Sequence, residues 1–256
     1  MDSVKHESLV SIITPTFNSL GFIQETYRSI SEQNYKNWEW IVTDDCSNDG
    51  SFDFLKQLSM KDERVRLFKL NKNSGAAVAR NNSIDHSNGE YIAFLDADDY
   101  WEKDKLSLQI KYMEERSLEF CFTSYACETF SERKLCKIVD ATHSGEVFTY
   151  KDMLMKKATL GCSTVILKKC LVKQHRMPLI RTGQDYAFWL QLLKETNAVL
   201  FNHCLTHYRI VPGSLSRNKF KKAKRQWYIY REIEKINLLP AAYYFLFYAY
   251  RAIFRK

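Results

Sequence analysis

Gly89-Glu90-Tyr91-Ile92-Ala93-Phe94-Leu95-Asp96-Ala97-Asp98-Asp99-Tyr100-Trp101 is the stretch whose reading decides this chain of 256 residues. Residues 91–95 are near-continuously apolar and follow a glycine turn, the pattern of a strand buried on both faces in a parallel sheet. Three carboxylates then fall at its C-terminal end, the edge where open α/β sheets bind ligands. Carboxylates this close repel one another unless a cation neutralises them. A hard divalent ion bridging Asp-x-Asp to a substrate diphosphate meets that demand. A solvated acidic turn ahead of the helix that begins near Glu102 is the alternative, and the rest of the chain has to decide between them.

Upstream, residues 9–14 read as a first strand that Pro15-Thr16-Phe17-Asn18 breaks into a loop. Phe22, Ile23, Tyr27 and Ile30 recur at helical spacing, and a second strand at 39–43 runs into Asp44-Asp45-Cys46-Ser47-Asn48-Asp49-Gly50. A helix at 51–60, a strand at 65–69 and a helix at 76–87, opened by the loop 71–75, complete the alternation. Strands and helices in this order with short connections predict a doubly wound, mostly parallel α/β sheet with right-handed crossovers. All four strand ends then share one edge, which gathers Pro15, Thr16, Phe17 and Asn18, the acids 44–49, Gly75 with Arg80, and Asp96, Ala97, Asp98 and Asp99.

Such an edge offers what a diphosphate nucleotide needs, namely polar groups for base and ribose, a cation site, and close backbone approach. Neither Gly-x-Gly-x-x-Gly after the first strand nor Gly-x-x-x-x-Gly-Lys-Ser/Thr occurs, which argues against dinucleotide-binding and P-loop families. Phosphates handled by a metal on carboxylates fit a nucleotide-sugar enzyme. A sugar-nucleotide pyrophosphorylase would need a basic, glycine-rich loop after the first strand, and 15–21 holds no Lys or Arg. A non-catalytic subunit that binds nucleotide sugar for a partner is the other alternative.

The motifs Val10-Ser11-Ile12-Ile13-Thr14-Pro15-Thr16-Phe17-Asn18, Asp44-Asp45-Cys46-Ser47-Asn48-Asp49-Gly50, Gly75-Ala76-Ala77-Val78-Ala79-Arg80-Asn81 and Asp96-Ala97-Asp98-Asp99, in this order, resemble the family 2 inverting glycosyltransferases with the GT-A fold. The likeness covers about 8–110 and resumes near 160–216. It implies a nucleotide-sugar site in which Pro15 and Phe17 line the nucleoside pocket, Asp45 meets uracil, Arg80 lies nearby, Asp96 faces the ribose and Asp98 holds Mn²⁺ or Mg²⁺. Cys46 stands where the family usually has Gly. The family tends to carry Glu-Asp at a later helix start, with the Asp as catalytic base, and this chain has Gln184-Asp185 there. Taken alone, Asp185 is an acid favoured by the N-terminal end of a helix.

The implied activity is transfer from a UDP-hexose or UDP-N-acetylhexosamine to a lipid-linked or growing glycan, such as a polyprenyl diphosphate sugar in O-antigen or capsule assembly. Gly161, Cys162 and Ser163 are small enough for a sugar to lie against the backbone, and equally suit a tight turn into the strand 165–167. With Gln184 and Arg209 they are the candidate acceptor contacts, while His203 and His207 are read as structural. The family often has a His shortly after Tyr-Arg, where Ile210-Val211-Pro212 stands here, so a phosphate role passes to Arg209 or to the loop 213–216.

Composition bounds the remainder. Hydrophobic residues at 45% supply a sizeable core. Seven cysteines without metal-ligand spacing read as reduced thiols in a cytosolic compartment. Residues 1–9 are polar and the apolar run after them is only a strand's length, so no signal peptide is expected. The formal charge of +8 concentrates after Lys219, in a basic helix at 219–234 that precedes an apolar, tyrosine-rich run at 238–254. The division expected is a GT-A domain over 1–216 (nucleotide-sugar half 8–110, acceptor half 111–216) and a helical tail over 217–256. That tail would lie on the inner face of the cell membrane with its lysines on anionic headgroups; packing on the domain or on a second copy of the chain is the alternative. No recognition motif points to nucleic acid.

Overall fold

The structure is a computed structural model that describes residues 7–130, 132–210 and 219–254. β1 (Val10–Thr16), β2 (Trp38–Asp44), β3 (Val65–Lys69) and β4 (Tyr91–Phe94) alternate with α1 (Leu20–Ser31), α2 (Ser51–Ser59) and α3 (Ala76–Asp85). These four strands are parallel, with Thr16 opposite Asp44, Asp44 opposite Lys69 and Ile13 opposite Phe94. That register brings their C-terminal ends, and the loops that follow, to one edge.

Beyond β4 the arrangement changes. β5 (Tyr100–Trp101), α4 (Lys105–Glu115) and β6 (Phe120–Thr129) are followed by a hairpin strand β7 (Leu135–Val139) and by β8 (Val147–Phe148), both within the polar stretch 128–149. After α5 (Tyr150–Leu154), β9 (Ile166–Lys168) runs antiparallel between β4 and β6; then come α6 (Lys169–Val172), α7 (Gln184–Leu192) and β10 (Ala198–Ile210). Among the described residues one ten-stranded sheet results, in the order β3-β2-β1-β4-β9-β6-β10-β5, with β7 beside β6 and β8 beside β10. The expected doubly wound parallel sheet is therefore its first part, and the rest is mixed. Periodicity within a strand reports which faces are buried but not the direction of the neighbouring strand.

Alternate residues of the central strands feed two cores. Ile13, Ile41, Ile92 and Phe94 face α3 and α7, whereas Val10, Ile12, Trp40, Val42, Ala93 and Leu95 face α1, α2 and α4. This period of two on a sheet covered on both sides is why the strands read as continuous apolar runs.

The tail is α8 (Lys219–Tyr228), one turn of π-helix (Ile229–Ile233) and α9 (Leu238–Phe254). One side of it is core: Ile229, Tyr230 and Ala241 are fully buried in the cluster that contains Phe94 and Trp189. Tyr230 Oη donates to the Leu154 carbonyl, Arg251 Nη1 to the Met155 carbonyl at 2.7 Å, and Tyr150 Oη to Glu234 at 2.8 Å. Its other side carries Leu239, Tyr243, Leu246, Tyr250 and Phe254, between 54% and 83% exposed, at spacings that form one stripe along α9.

Candidate active site

The loops after β1, β2 and β3 are tied into one wall. Asp45 accepts from the Ser74 amide (2.6 Å) on one carboxylate oxygen and from the Gly75 amide (2.8 Å) on the other. Gly75, at φ +94°, turns the chain into α3 in a conformation that side chains with a Cβ avoid. Asn18 accepts from the Asn48 amide at 3.0 Å, and its own amide donates to Ser47 Oγ at 2.9 Å. Thr16 is buried against Ser19, Pro15 is half-buried, and Phe17 stands half-exposed at the rim. Cys46 adopts φ +68°, which accounts for the glycine preferred at this position.

The loop after β4 brings a ligand oxygen from each of Asp96, Asp98 and Asp99 within 4.8 Å of one another. α1 holds this loop from behind. Thr26 Oγ1 donates to the carbonyls of Ala97 (2.9 Å) and Asp99 (2.8 Å), while Glu25 pairs with Arg209 (2.6 Å), whose Nε donates to the Asp98 carbonyl. Asp99 is fully enclosed, accepting from Ser163 Oγ (2.6 Å) and the Arg209 amide (3.2 Å), and Asp96 pairs with Arg80 at 2.5 Å. No described side chain donates to the Asp98 carboxylate, and burial followed by the charge of Asp96 raises its pKa to about 6. Burial and the two neighbouring acids push Asp99 up as well. Three carboxylates held together, with Asp98 left without a side-chain donor among the described residues, suit a divalent cation bound chiefly by oxygen ligands.

Arg80 joins this cluster to the acceptor half. It is 5% exposed; burial works against its charge, but Asp96, Cys162 and Asp185 together outweigh that and hold it above its usual range. Its Nε and Nη1 are buried without a partner. Asp185 sits in the first turn of α7, behind a left-handed Gly183, and acts electrostatically on both Arg80 and the buried Cys162. Its position follows from aromatic packing: Trp189 and Phe188 meet Phe94 edge-on at 5.3 and 6.4 Å, and Phe94 lies two residues before Asp96. The metal-type cluster and Asp185 thus share one hydrophobic anchor.

The expected acceptor contacts fare unevenly. Gln184 starts α7 with its Oε1 enclosed and unpartnered, and Gly161 lies under Tyr125. Ser163 is a strut, donating to Asp99 and accepting from the Asp96 amide (3.1 Å), and Cys162 is sealed beneath Arg80. The Arg209 guanidinium is taken up by Glu25 and the Asp98 carbonyl, which ties it to the carboxylate loop. The loop 213–216 lies outside the described residues. His207 is structural in its contacts, held between Glu128 (2.7 Å) and Glu102 (2.8 Å) and stacked on Tyr100; His203 stacks on Phe201. Glu25 and Thr26, on an ordinary amphipathic helix, carry no motif that would single them out.

The family model for glycosyl transferase family 2 matches residues 11–163. The chain belongs to glycosyltransferase family 2. As a family 2 glycosyltransferase it is 44% identical over 249 residues to the teichuronic acid biosynthesis glycosyltransferase TuaG of Bacillus subtilis, covering 97% of each chain. It is 36% identical over 242 residues to WfgD of Escherichia coli, named as a UDP-Glc:α-D-GlcNAc-diphosphoundecaprenol β-1,3-glucosyltransferase, covering 94% of this chain and 92% of that one. Among solved structures the transferase superposes on Staphylococcus aureus TarS residues 1–349 bound to UDP (TM-score 0.71, 21% identity, 94% of this chain and 69% of that one). It also superposes on a Pyrobaculum calidifontis mannosyltransferase bound to GDP-Man and Mn²⁺ (TM-score 0.70, 16% identity, 96% and 70%). The GT-A fold inferred from the four motifs is the fold these structures share.

Proposed function

We propose that this transferase moves a hexose or N-acetylhexosamine from a UDP-sugar to a sugar carried on a lipid diphosphate, with inversion at the anomeric carbon, in the assembly of a surface polysaccharide. The observation that carries the reading is that Asp96 and Asp185, from opposite halves of the chain, act on the same buried arginine, Arg80. The relatives support the substrate class: WfgD is named for a UDP-glucose donor and a diphosphoundecaprenol acceptor, and TuaG for teichuronic acid.

In this reading Asp185 accepts the proton of the acceptor hydroxyl as the hydroxyl oxygen bonds to the anomeric carbon. Attack comes from the face opposite the diphosphate, the bond to the diphosphate oxygen breaks, and UDP departs with the electron pair. Asp98, with Asp96 and Asp99 behind it, would hold Mn²⁺ or Mg²⁺, which would supply charge neutralisation for the leaving diphosphate. Arg80 keeps Asp96 in place and has its two free donors for the sugar phosphate. Pro15, Thr16, Phe17, Asn18, Asp45, Gly75 and Ala97 form the nucleoside wall, in which Asp45 both pins the Gly75 turn and borders the base.

The transferase works at the cytosolic face of the membrane. No helix among the described residues is long and apolar enough to cross a membrane, and the stripe Leu239, Tyr243, Leu246, Tyr250 and Phe254 beside a basic α8 suits a helix lying in the interfacial plane. Release of UDP from a panel of nucleotide sugars with a GlcNAc-diphosphoryl-lipid acceptor tests the reading. Turnover with a UDP-sugar, a β-linked product, and loss of both on adding EDTA or in Asp98→Asn are expected; full turnover in EDTA refutes the metal assignment.

A further inference from the structure

α8 reaches the start of the Asp185 helix. A Cβ on Gly183 would come within 2.9 Å of both Cδ and Nε of Arg225, so the arginine side chain lies directly across the glycine that begins α7. That Nε is enclosed and has no partner, as is Oε1 of the adjacent Gln184. Arg225 is held there by the packing of α8, where the next residue, Gln226, is 2% exposed and Ile229 also borders Gly183. One turn earlier, Lys222 is half-buried, and the charges acting on it are Arg225 and Lys137 of β7, both cations.

Lys222 and Arg225 are half-buried and Lys137 is exposed beside them; crowding cations in this way is unfavourable, and burial with the two like charges lowers the pKa of Lys222. A multivalent anion would relieve the repulsion, and the N-terminal end of α7 beside it adds amide donors and a favourable dipole. The donor diphosphate is not that anion, because Arg80 and the carboxylate loop already provide for it on the β4 side of Asp185. Asp185 must meet the acceptor hydroxyl, and in a diphosphate-linked acceptor a single sugar ring separates hydroxyl from diphosphate. Resting on the acceptor class proposed above, we propose that Lys222 and Arg225 of α8, with Lys137 of β7, bind the diphosphate of the lipid-linked acceptor. The tail then contributes acceptor-recognition residues to the active site, in addition to meeting the membrane.

Calorimetry on the full chain, preloaded with UDP and Mn²⁺ so that the donor subsite is filled, tests this with geranyl diphosphate as probe. Wild type should bind it, and bind geranyl monophosphate more weakly. Lys222→Gln/Arg225→Gln should lose about tenfold or more in affinity for the diphosphate, and Lys222→Arg/Arg225→Lys should restore most of it. UDP affinity should be equal in all three, which also shows that the charge-removing variant is folded. Flotation with phosphatidylglycerol vesicles separates the two sources of phosphate: retention by the Gln variant is expected, through the α9 stripe. Equal binding of geranyl diphosphate by wild type and Gln variant, absence of binding to wild type, or loss of flotation with diphosphate affinity intact would each overturn the proposal. UDP release from the UDP-sugar by the wild type reads the transferase assignment separately, so a failure there is distinct from a failure here.

Discussion

In residues 7–110 the candidate side chains sit at or just beyond the ends of parallel strands or, for Gly75 and Arg80, in the first turns of the helix after β3. In residues 111–254 the groups that meet them come from a helix start and from a short turn ahead of an antiparallel strand, and a C-terminal helix pair is folded back on the domain. The first region is local: a strand ends, its loop turns, and the functional group is within a few residues. The second is assembled from distant segments, and its geometry depends on aromatic contacts such as Trp189 with Phe94. A nucleotide diphosphate common to many reactions suits the first construction. An acceptor that varies from one reaction to another suits the second, in which a helix can be repacked without disturbing the strand ends.

The largest expected effect separates the two regions by chemistry. Asp185→Asn keeps the side-chain shape and removes its basicity, so kcat should fall by about 10²–10⁴-fold, while calorimetry shows UDP with Mn²⁺ binding as in wild type. Weakened UDP binding would mean that Asp185 belongs to the nucleotide region. Next comes removal of residues 238–256. It takes away buried Ala241 and Tyr248 and uncovers Ile229 and Tyr230, so a loss of roughly 3 kcal/mol or more is expected on the scale of large core deletions. Urea denaturation followed by circular dichroism measures it, and an unchanged midpoint would show the tail to be a mere appendage.

A smaller change sharpens the assignment of Arg209. Glu25→Gln removes the charge that holds its guanidinium against the Asp98 loop. The Mn²⁺ concentration for half-maximal activity should rise about tenfold, in line with a weakened charged hydrogen bond, with acceptor KM unchanged. A rise in acceptor KM alone would return Arg209 to the acceptor region. The smallest effect is at Cys46: glycine relieves the left-handed backbone at φ +68° but adds freedom to the unfolded chain. Cys46→Gly should therefore stabilise the protein by about 0.5–1 kcal/mol, read as a higher urea midpoint, and a lower midpoint would show that the thiol packing outweighs the strain.

Much of the first region was legible because its signals are local. Apolar runs interrupted by Asp44-Asp45 and Asp96-Ala97-Asp98-Asp99 name both the strand and the edge at which it stops. Asp185 was legible as a helix-start acid, and only the family likeness gave it a second meaning. The tie of Arg209 to the carboxylate loop was not legible, because a basic residue in a strand reveals nothing about which carboxylate lies across from it; its partner Glu25 is remote in sequence. Lys105 escaped notice altogether. It opens α4 like a surface lysine, yet it is fully buried against the Thr164 carbonyl (3.1 Å), and that burial lowers its pKa to about 7.

By itself the sequence determined the strand and helix alternation, the shared edge, the family and the carboxylates that distinguish it, since each rests on neighbours within a single turn or strand. The tertiary structure alone decided that β9 runs antiparallel, that Arg80 pairs with Asp96 and feels the charge of Asp185, and that α8 lays Arg225 across Gly183. These are contacts between segments far apart in the chain. Side-chain packing in a dense core selects them, and no periodicity along the sequence encodes which surfaces will meet.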